Sequence, residues 1–302
     1  MARTYLLLLL TTLSWGGTAV AGKLALQDIP PLTLGVIRYG GAALLLAAIS
    51  RPTLAADVRP FPWGEVRPLL GLGLLGACLN HILFFVGLLF APATHGAIIP
   101  PTTSPVWILL LAARLGGERA TRGQVAGMLL CMGGVVLVMR PERLVVDAGA
   151  RVFLGDLLLL LCGVSWGAYS YFSKVGMRRL APVTALVFTL GFGTLFLLPL
   201  ALVERPWHAL RAASPTAWAA VGYLTVAATV FAFWGWSVAI RRLGAGRTGV
   251  FGNLIPVFGV VLAQLVLGER LTAIQLLGGL LAVAGVLVCQ GRFTRTDRAP
   301  RD

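Results

Sequence analysis

Charge is what this sequence lacks most: 12% of its 302 residues are charged and 58% are hydrophobic, with a mean hydropathy of +0.87. An average soluble domain is about a quarter charged, so this composition excludes an ordinary water-soluble fold and points to a membrane. Acidic residues are scarcer than basic ones, 11 against 25, giving a formal net charge of +14. The basic residues punctuate long apolar runs and form no water-facing stripe interleaved with aromatics, so no nucleic-acid partner is expected. Cysteine is rare too: Cys78, Cys131, Cys162 and Cys289 lie in apolar stretches without metal-ligand or redox spacing, so neither disulfides nor a metal site is expected. No His-Glu-x-x-His or phosphate-cradling loop occurs, which leaves no basis for an enzyme or a cofactor.

What the sequence has is long apolar runs. A hydrocarbon core about 30 Å thick needs about 20 helical residues. Ten runs qualify: 5–22, 32–49, 69–90, 96–113, 123–139, 154–172, 182–203, 218–240, 248–267 and 274–289. The first mimics a secretory signal, with Arg3, a Leu6–Leu10 run and Ala19-Val20-Ala21. That reading fails because Ser14-Trp15-Gly16 recurs as Ser165-Trp166-Gly167 deep in the chain. Basic residues are retained on the cytoplasmic side. With the N terminus inside, 17 of the 25 fall in cytoplasmic segments and seven outside, so both termini are expected to be cytoplasmic. A plasma-membrane protein results, in the inner membrane if bacterial.

Extending the Ser-Trp-Gly match at the same offset of 151 residues exposes an internal repeat. Lys23 falls on Lys174, Pro31 on Pro182, Pro105 on Pro256, Gly117-Glu118-Arg119 on Gly268-Glu269-Arg270, Thr121 on Thr272, and Gln124 on Gln275. Five spans per half is an odd number, so the second copy crosses in the opposite sense. The fold expected is all-α, with ten transmembrane helices in two inverted five-helix repeats: residues 1–140 and 154–290, joined by a linker at 141–153 and followed by a basic tail at 291–302. Thr121-x-x-Gln124 and Thr272-x-x-Gln275 have capping-box spacing. Glu118 and Glu269 suit the positive end of the helix that follows each. All six are read as structural.

Inverted repeats place a substrate near the midplane between the halves. All eleven acidic residues are placed in loops, tails or span ends, so export of cations through a buried carboxylate loses ground. Inside the spans remain Arg38, Asn80, His81 and Asn253; His81 has no counterpart in the second half. Packing between helices accounts for His81 equally simply, and snorkelling to the interface does so for Arg38. His95 and His208 are placed in loops and given no role. Trp15, Trp107, Trp166, Tyr169, Tyr171, Trp234, Trp236 and Phe251 lie within spans, where some suit the walls of a site for a flat or amphiphilic solute. Proline removes a backbone donor, so Pro105 and Pro256 are expected to break spans four and nine at matched points.

On the Ser/Trp/Gly start of each half, Pro31 with Arg38, Pro105-Val106 and Pro256-Val257, and Gly-Glu-Arg before spans five and ten, the chain resembles the EamA-type branch of the drug/metabolite transporter superfamily over nearly its full length. The resemblance implies ten helices in two inverted repeats and solute export across a plasma membrane. Pro100, Pro101 and Asn80-His81 depart from the simplest family pattern. The expected substrate is a neutral or zwitterionic small molecule such as an amino acid. Trp15, Trp107, Trp166, Tyr169 and Phe251 would form its walls, Asn80 and Asn253 its hydrogen bonds, Arg38 and His81 its anion partners, and Pro105 and Pro256 the helix breaks. Beyond solute and lipid, a homo-oligomer stays open. So do export of amphiphilic drugs or organic cations, and a non-transporting scaffold.

Overall fold

The computed structural model describes residues 2–59, 63–117, 120–140, 147–176 and 180–290. Glu118, the linker at 141–146 and the basic tail at 291–302 lie outside them. Among the described residues there is no strand, and ten helices are long and apolar enough to cross a membrane. They are α1 (Ala2–Ala25), α2 (Pro31–Ile49), α3 (Trp63–Phe90), α4 (Ala93–Leu115), α5 (Arg122–Met139), α6 (Gly149–Ser173), α7 (Pro182–Val203), α8 (Pro215–Leu243), α9 (Arg247–Leu267) and α10 (Ala273–Gln290). Several run past the apolar limits into charged flanks, because a helix does not stop where hydropathy does.

The packing repeats with the sequence. The first span of each half sits on the third and fourth spans of the other: α1 on α8 and α9, α6 on α3 and α4. The second, fourth and fifth spans pair with their own counterparts, α2 with α7, α4 with α9 and α5 with α10. Single contacts obey the offset as well. A side chain at Gly16 would meet Ile255, Phe258 and Gly259; one at Gly167 would meet Ser104, Trp107 and Ile108, each 151 residues earlier. The halves are therefore interleaved, not two bundles side by side.

The ends of the helices explain the repeated motifs. Gly117 and Gly268, the glycines of Gly-Glu-Arg, have φ of 69° and 68°, left-handed conformations in which a helix ends readily on glycine. Thr121 Oγ1 accepts from Gln124 N at 3.3 Å while Gln124 Oε1 accepts from Thr121 N at 2.8 Å. Thr272 and Gln275 repeat this at 3.4 and 3.0 Å. Glu269 caps a helix other than expected: its carboxylate accepts from Ala93 N and Thr94 N, both at 2.8 Å, at the start of α4. The residue before α4 is Pro92, which offers no side-chain cap, so the orphaned donors are met from the other half. Glu204 does the same for α2, which follows Pro30, taking Leu32 N at 2.9 Å and Thr33 N at 2.8 Å.

The expected matched proline breaks are corrected by the structure. Helix α4 continues through Pro100, Pro101 and Pro105. Neighbouring hydroxyls bond its backbone: Thr102 Oγ1 donates to Ile98 O at 2.7 Å and Thr103 Oγ1 to Ile99 O at 2.8 Å, and Ser104 Oγ lies 3.5 Å from Pro101 O, the carbonyl that Pro105 leaves without its amide donor. Helix α9 is interrupted at Gly252 and Asn253, one turn before Pro256. Matched distortions occur instead as π-helical turns, at Gly73–Leu79 in α3 and Tyr223–Phe231 in α8, in register at the same offset. Wide turns of this kind are often found at functional sites.

Candidate functional site

A cavity of about 460 Å³ opens between the interleaved halves, within the size range of small-molecule sites. Its wall obeys the repeat: Trp15 and Trp166, Thr18 and Tyr169, Arg38 and Thr189, and Phe85 and Trp236 are pairs at the offset of 151, and all eight residues line it.

The first-half tryptophan is fixed by a wide turn of the opposite half. Trp15 Nε1 donates to Ala228 O at 3.0 Å, in the π-helical turn of α8. Beside Trp166, Ser165 Oγ donates to Leu75 O at 2.7 Å, in the matching turn of α3. The repeated Ser-Trp pair thus ties each half to the distorted turn of the other. An aromatic chain follows from this placement: Trp236 to Trp15 (5.1 Å between centroids), Trp15 to Phe233 (5.6 Å), Phe233 to Trp166 (6.0 Å) and Trp166 to Tyr169 (5.1 Å). It crosses from one half to the other and gives the cavity a continuous apolar wall.

Against this wall stands one charged lining residue, Arg38. It is buried, its Nε donates to Thr229 Oγ1 at 3.0 Å, and its guanidinium lies 4.9 Å from the Tyr39 ring centroid. Among the described residues no carboxylate pairs with it, and no group accepts from its terminal nitrogens. A side chain that had snorkelled to the interface would be solvated; this one turns into the protein. Asn80 donates to Cys162 O at 3.3 Å, and Asn253 bridges to Gln290 Oε1 at 3.0 Å. The Thr189 hydroxyl is buried without a partner.

The structure therefore gathers Trp15, Arg38, Asn80, Pro105, Trp166, Tyr169 and Asn253 around one cavity. It does not gather His81, Trp107, Phe251 or Pro256. His81 is fully buried, stacked 4.3 Å from Phe85 and 2.8 Å through Nε2 from Pro31 O, and so pins the first turn of α2. Trp107 packs at the Gly167 crossing, and Phe251 stacks on Tyr5 at 5.8 Å. Sequence reasoning missed Tyr39, Phe233, Thr189 and Gln290. For Thr189 the signal was present, since it is the offset partner of Arg38.

Two further placements are corrected. His95 is not in a loop but buried in the first turn of α4, and Asp156 is buried in α6, so one carboxylate does lie inside a span. They meet at 2.7 Å, outside the cavity wall.

The model of the EamA-like transporter family matches residues 2–140 and again 153–289. The chain belongs to the EamA-like transporter family. It is thus a multi-pass membrane transporter, not an enzyme, and works on a small-molecule solute within a lipid bilayer; members in bacteria reside in the inner membrane. It is 27% identical to a probable terminal-alkyne amino-acid exporter of Streptantibioticus cattleyicolor, covering 94% of this chain and 92% of that one. It is 28% identical to a probable amino-acid metabolite efflux pump of Salmonella typhimurium, covering 93% of both. A crystal structure superimposes with a TM-score of 0.66 at 22% identity, covering 98% of this chain and 99% of the other, which supports the fold.

Proposed function

We propose that this transporter exports a small solute that joins a carboxylate to an apolar or aromatic body, of the amino-acid class, by alternating access with both termini in the cytoplasm. The observation that carries the reading is Arg38, a buried guanidinium in the cavity wall whose free nitrogens face no protein carboxylate. An unpaired charge in a low-dielectric site is costly, and a substrate carboxylate removes that cost while gaining a bidentate partner. The Trp236–Trp15–Phe233–Trp166–Tyr169 chain stacks the apolar part. The names of the two relatives support the same class, and the distribution of Lys and Arg supports the orientation. Rocking of α1, α8 and α9 against α3, α4 and α6 would expose the cavity to either side in turn.

Ligand-dependent thermal unfolding in detergent tests this. A ligand that binds only the folded state raises its unfolding temperature, with the logarithm of ligand concentration above its Kd. Aromatic amino acids raise it for the wild type, the corresponding decarboxylated amines do not, and Arg38→Met loses the effect. Stabilisation by amines or organic cations equal to that by amino acids would overturn the carboxylate assignment.

A further inference from the structure

His95, Asp156 and Gln275 form a cluster outside the cavity, and their partners fix the tautomer of the histidine ring. Gln275 Oε1 accepts from the Thr272 backbone N–H at 3.0 Å, and Gln275 Nε2 lies 3.4 Å from Val138 O. A backbone N–H only donates and a carbonyl only accepts, so the amide has one orientation. Gln275 Nε2 lies 2.8 Å from His95 Nε2, which must therefore accept. The ring proton is left on Nδ1, which donates to Asp156 Oδ1 at 2.7 Å. The cluster is thus a neutral imidazole beside the Asp156 carboxyl, both at most 2% exposed, and Asp156 Oδ2 has no partner.

We propose that His95–Asp156 is a binding site for one proton, and that its occupancy controls the His95–Gln275 hydrogen bond between α4 and α10. A proton arriving on His95 Nε2 turns that nitrogen from acceptor to donor. It then faces an amide N–H that also donates, and Gln275 cannot turn over because Thr272 and Val138 hold it. The His95–Gln275 bond between α4 and α10 breaks, while the imidazolium strengthens its bond to Asp156 of α6. Proton binding thereby removes one tie between the halves at this end of the molecule, where Glu269 still holds Ala93 N and Thr94 N.

The offset gives the cluster a direction. The positions matching His95 and Asp156 are Gly246 and Tyr5, so only one membrane end carries the site. Other ionisable groups on the elements packed here are Lys23 at the end of α1, Arg140 after α5, Arg151 in α6, and Glu269 and Arg270 before α10. Glu269 is engaged by Ala93 N and Thr94 N. Arg151 and Arg270 are exposed, and His95 pairs with Asp156 at 2.7 Å.

The test needs no knowledge of the solute. Histidine-selective ¹⁵N NMR of the full chain in nanodiscs, titrated from pH 9 to pH 4, reads the tautomer and charge of each ring. The chain has three histidines, and the His95 signal is the one lost in His95→Gln. The wild type is expected to show the neutral Nδ1–H tautomer at high pH and to take up one proton on acidification. Gln275→Leu, which removes the opposing donor, reaches the charged ring at about tenfold lower proton concentration, one pH unit. Asp156→Asn, which removes the counter-charge, needs about tenfold more. A wild-type ring that stays neutral throughout, or one that titrates identically in all three proteins, overturns the proposal; the wild-type titration decides even if a variant fails to fold.

Discussion

Carboxylates in this protein serve helix starts that lie far away in the chain. Asp28, in the turn before α2, accepts from the Ser214 hydroxyl and, at 2.9 Å, from the Ser214 backbone N–H at the start of α8. Asp57 accepts from Ala181 N at 3.0 Å ahead of α7. The Ser214 hydroxyl first, and its backbone N–H second, hold the Asp28 carboxyl below the usual carboxylate range, against the opposing effect of desolvation. A depressed acid contributes stability that is fully present above its unfolded value, near pH 4, and is lost as pH falls through the lower folded value. The unfolding-temperature difference between wild type and Asp28→Asn is therefore expected to stay constant from pH 7 to pH 5 and to shrink below pH 4. A difference that grows with acid would contradict the assignment. None of these partnerships could be read from sequence, because a single sequence places Asp28 and Glu269 in loops without saying which helix start each loop reaches.

Helices fared better in the sequence reading, with instructive exceptions. All ten spans were legible from hydropathy, and the offset of 151 foretold which crossings would match. The prolines misled because α4 continues through Pro105, whose orphaned carbonyl at Pro101 lies 3.5 Å from the Ser104 hydroxyl, while α9 is interrupted at Gly252 and Asn253, one turn before Pro256. The π-helical turns were invisible, since residues 73–79 and 223–231 carry no shared composition that marks a widened turn. Asp156 was assigned to a span end because the helix that carries α6 starts before its apolar run, at Asp147. The pair α5 and α10 shows what the repeated glycines do. A side chain on Gly134 would meet the Ala282 nitrogen and Gly278 carbonyl, and one on Gly127 would meet Cys289 and Gly285. Backbones this close leave no room for a methyl. Gly134→Ala is expected to destabilise by about 1–3 kcal/mol, the usual cost of overpacking. Since the cavity lining includes no residue of α5, ligand-induced stabilisation should survive in this variant; thermal unfolding with and without an aromatic amino acid measures both quantities.

The whole molecule is one sequence folded twice and interleaved, so that each half completes the other's wall. Five spans per repeat implied the inversion but not the interleaving, and the cavity's membership was only partly legible. Trp15, Trp166 and Arg38 announced themselves by type and position, while His81, Trp107 and Phe251 are the same types turned elsewhere by packing. The repeat is not exact at the cavity: the tryptophans match as Trp15 and Trp166, but Tyr169 is matched by Thr18 and Arg38 by Thr189, so the cavity has one charged side. The central claim is that this charge receives a substrate carboxylate during transport. Counterflow in proteoliposomes tests it most directly, with vesicles loaded with an unlabelled aromatic amino acid and labelled amino acid supplied outside. The account predicts transient accumulation of label by the wild type, and at least a tenfold loss in Arg38→Met. It also predicts no counterflow of the amine that lacks the carboxylate. Equal counterflow of the amine, or full activity in Arg38→Met, would contradict it.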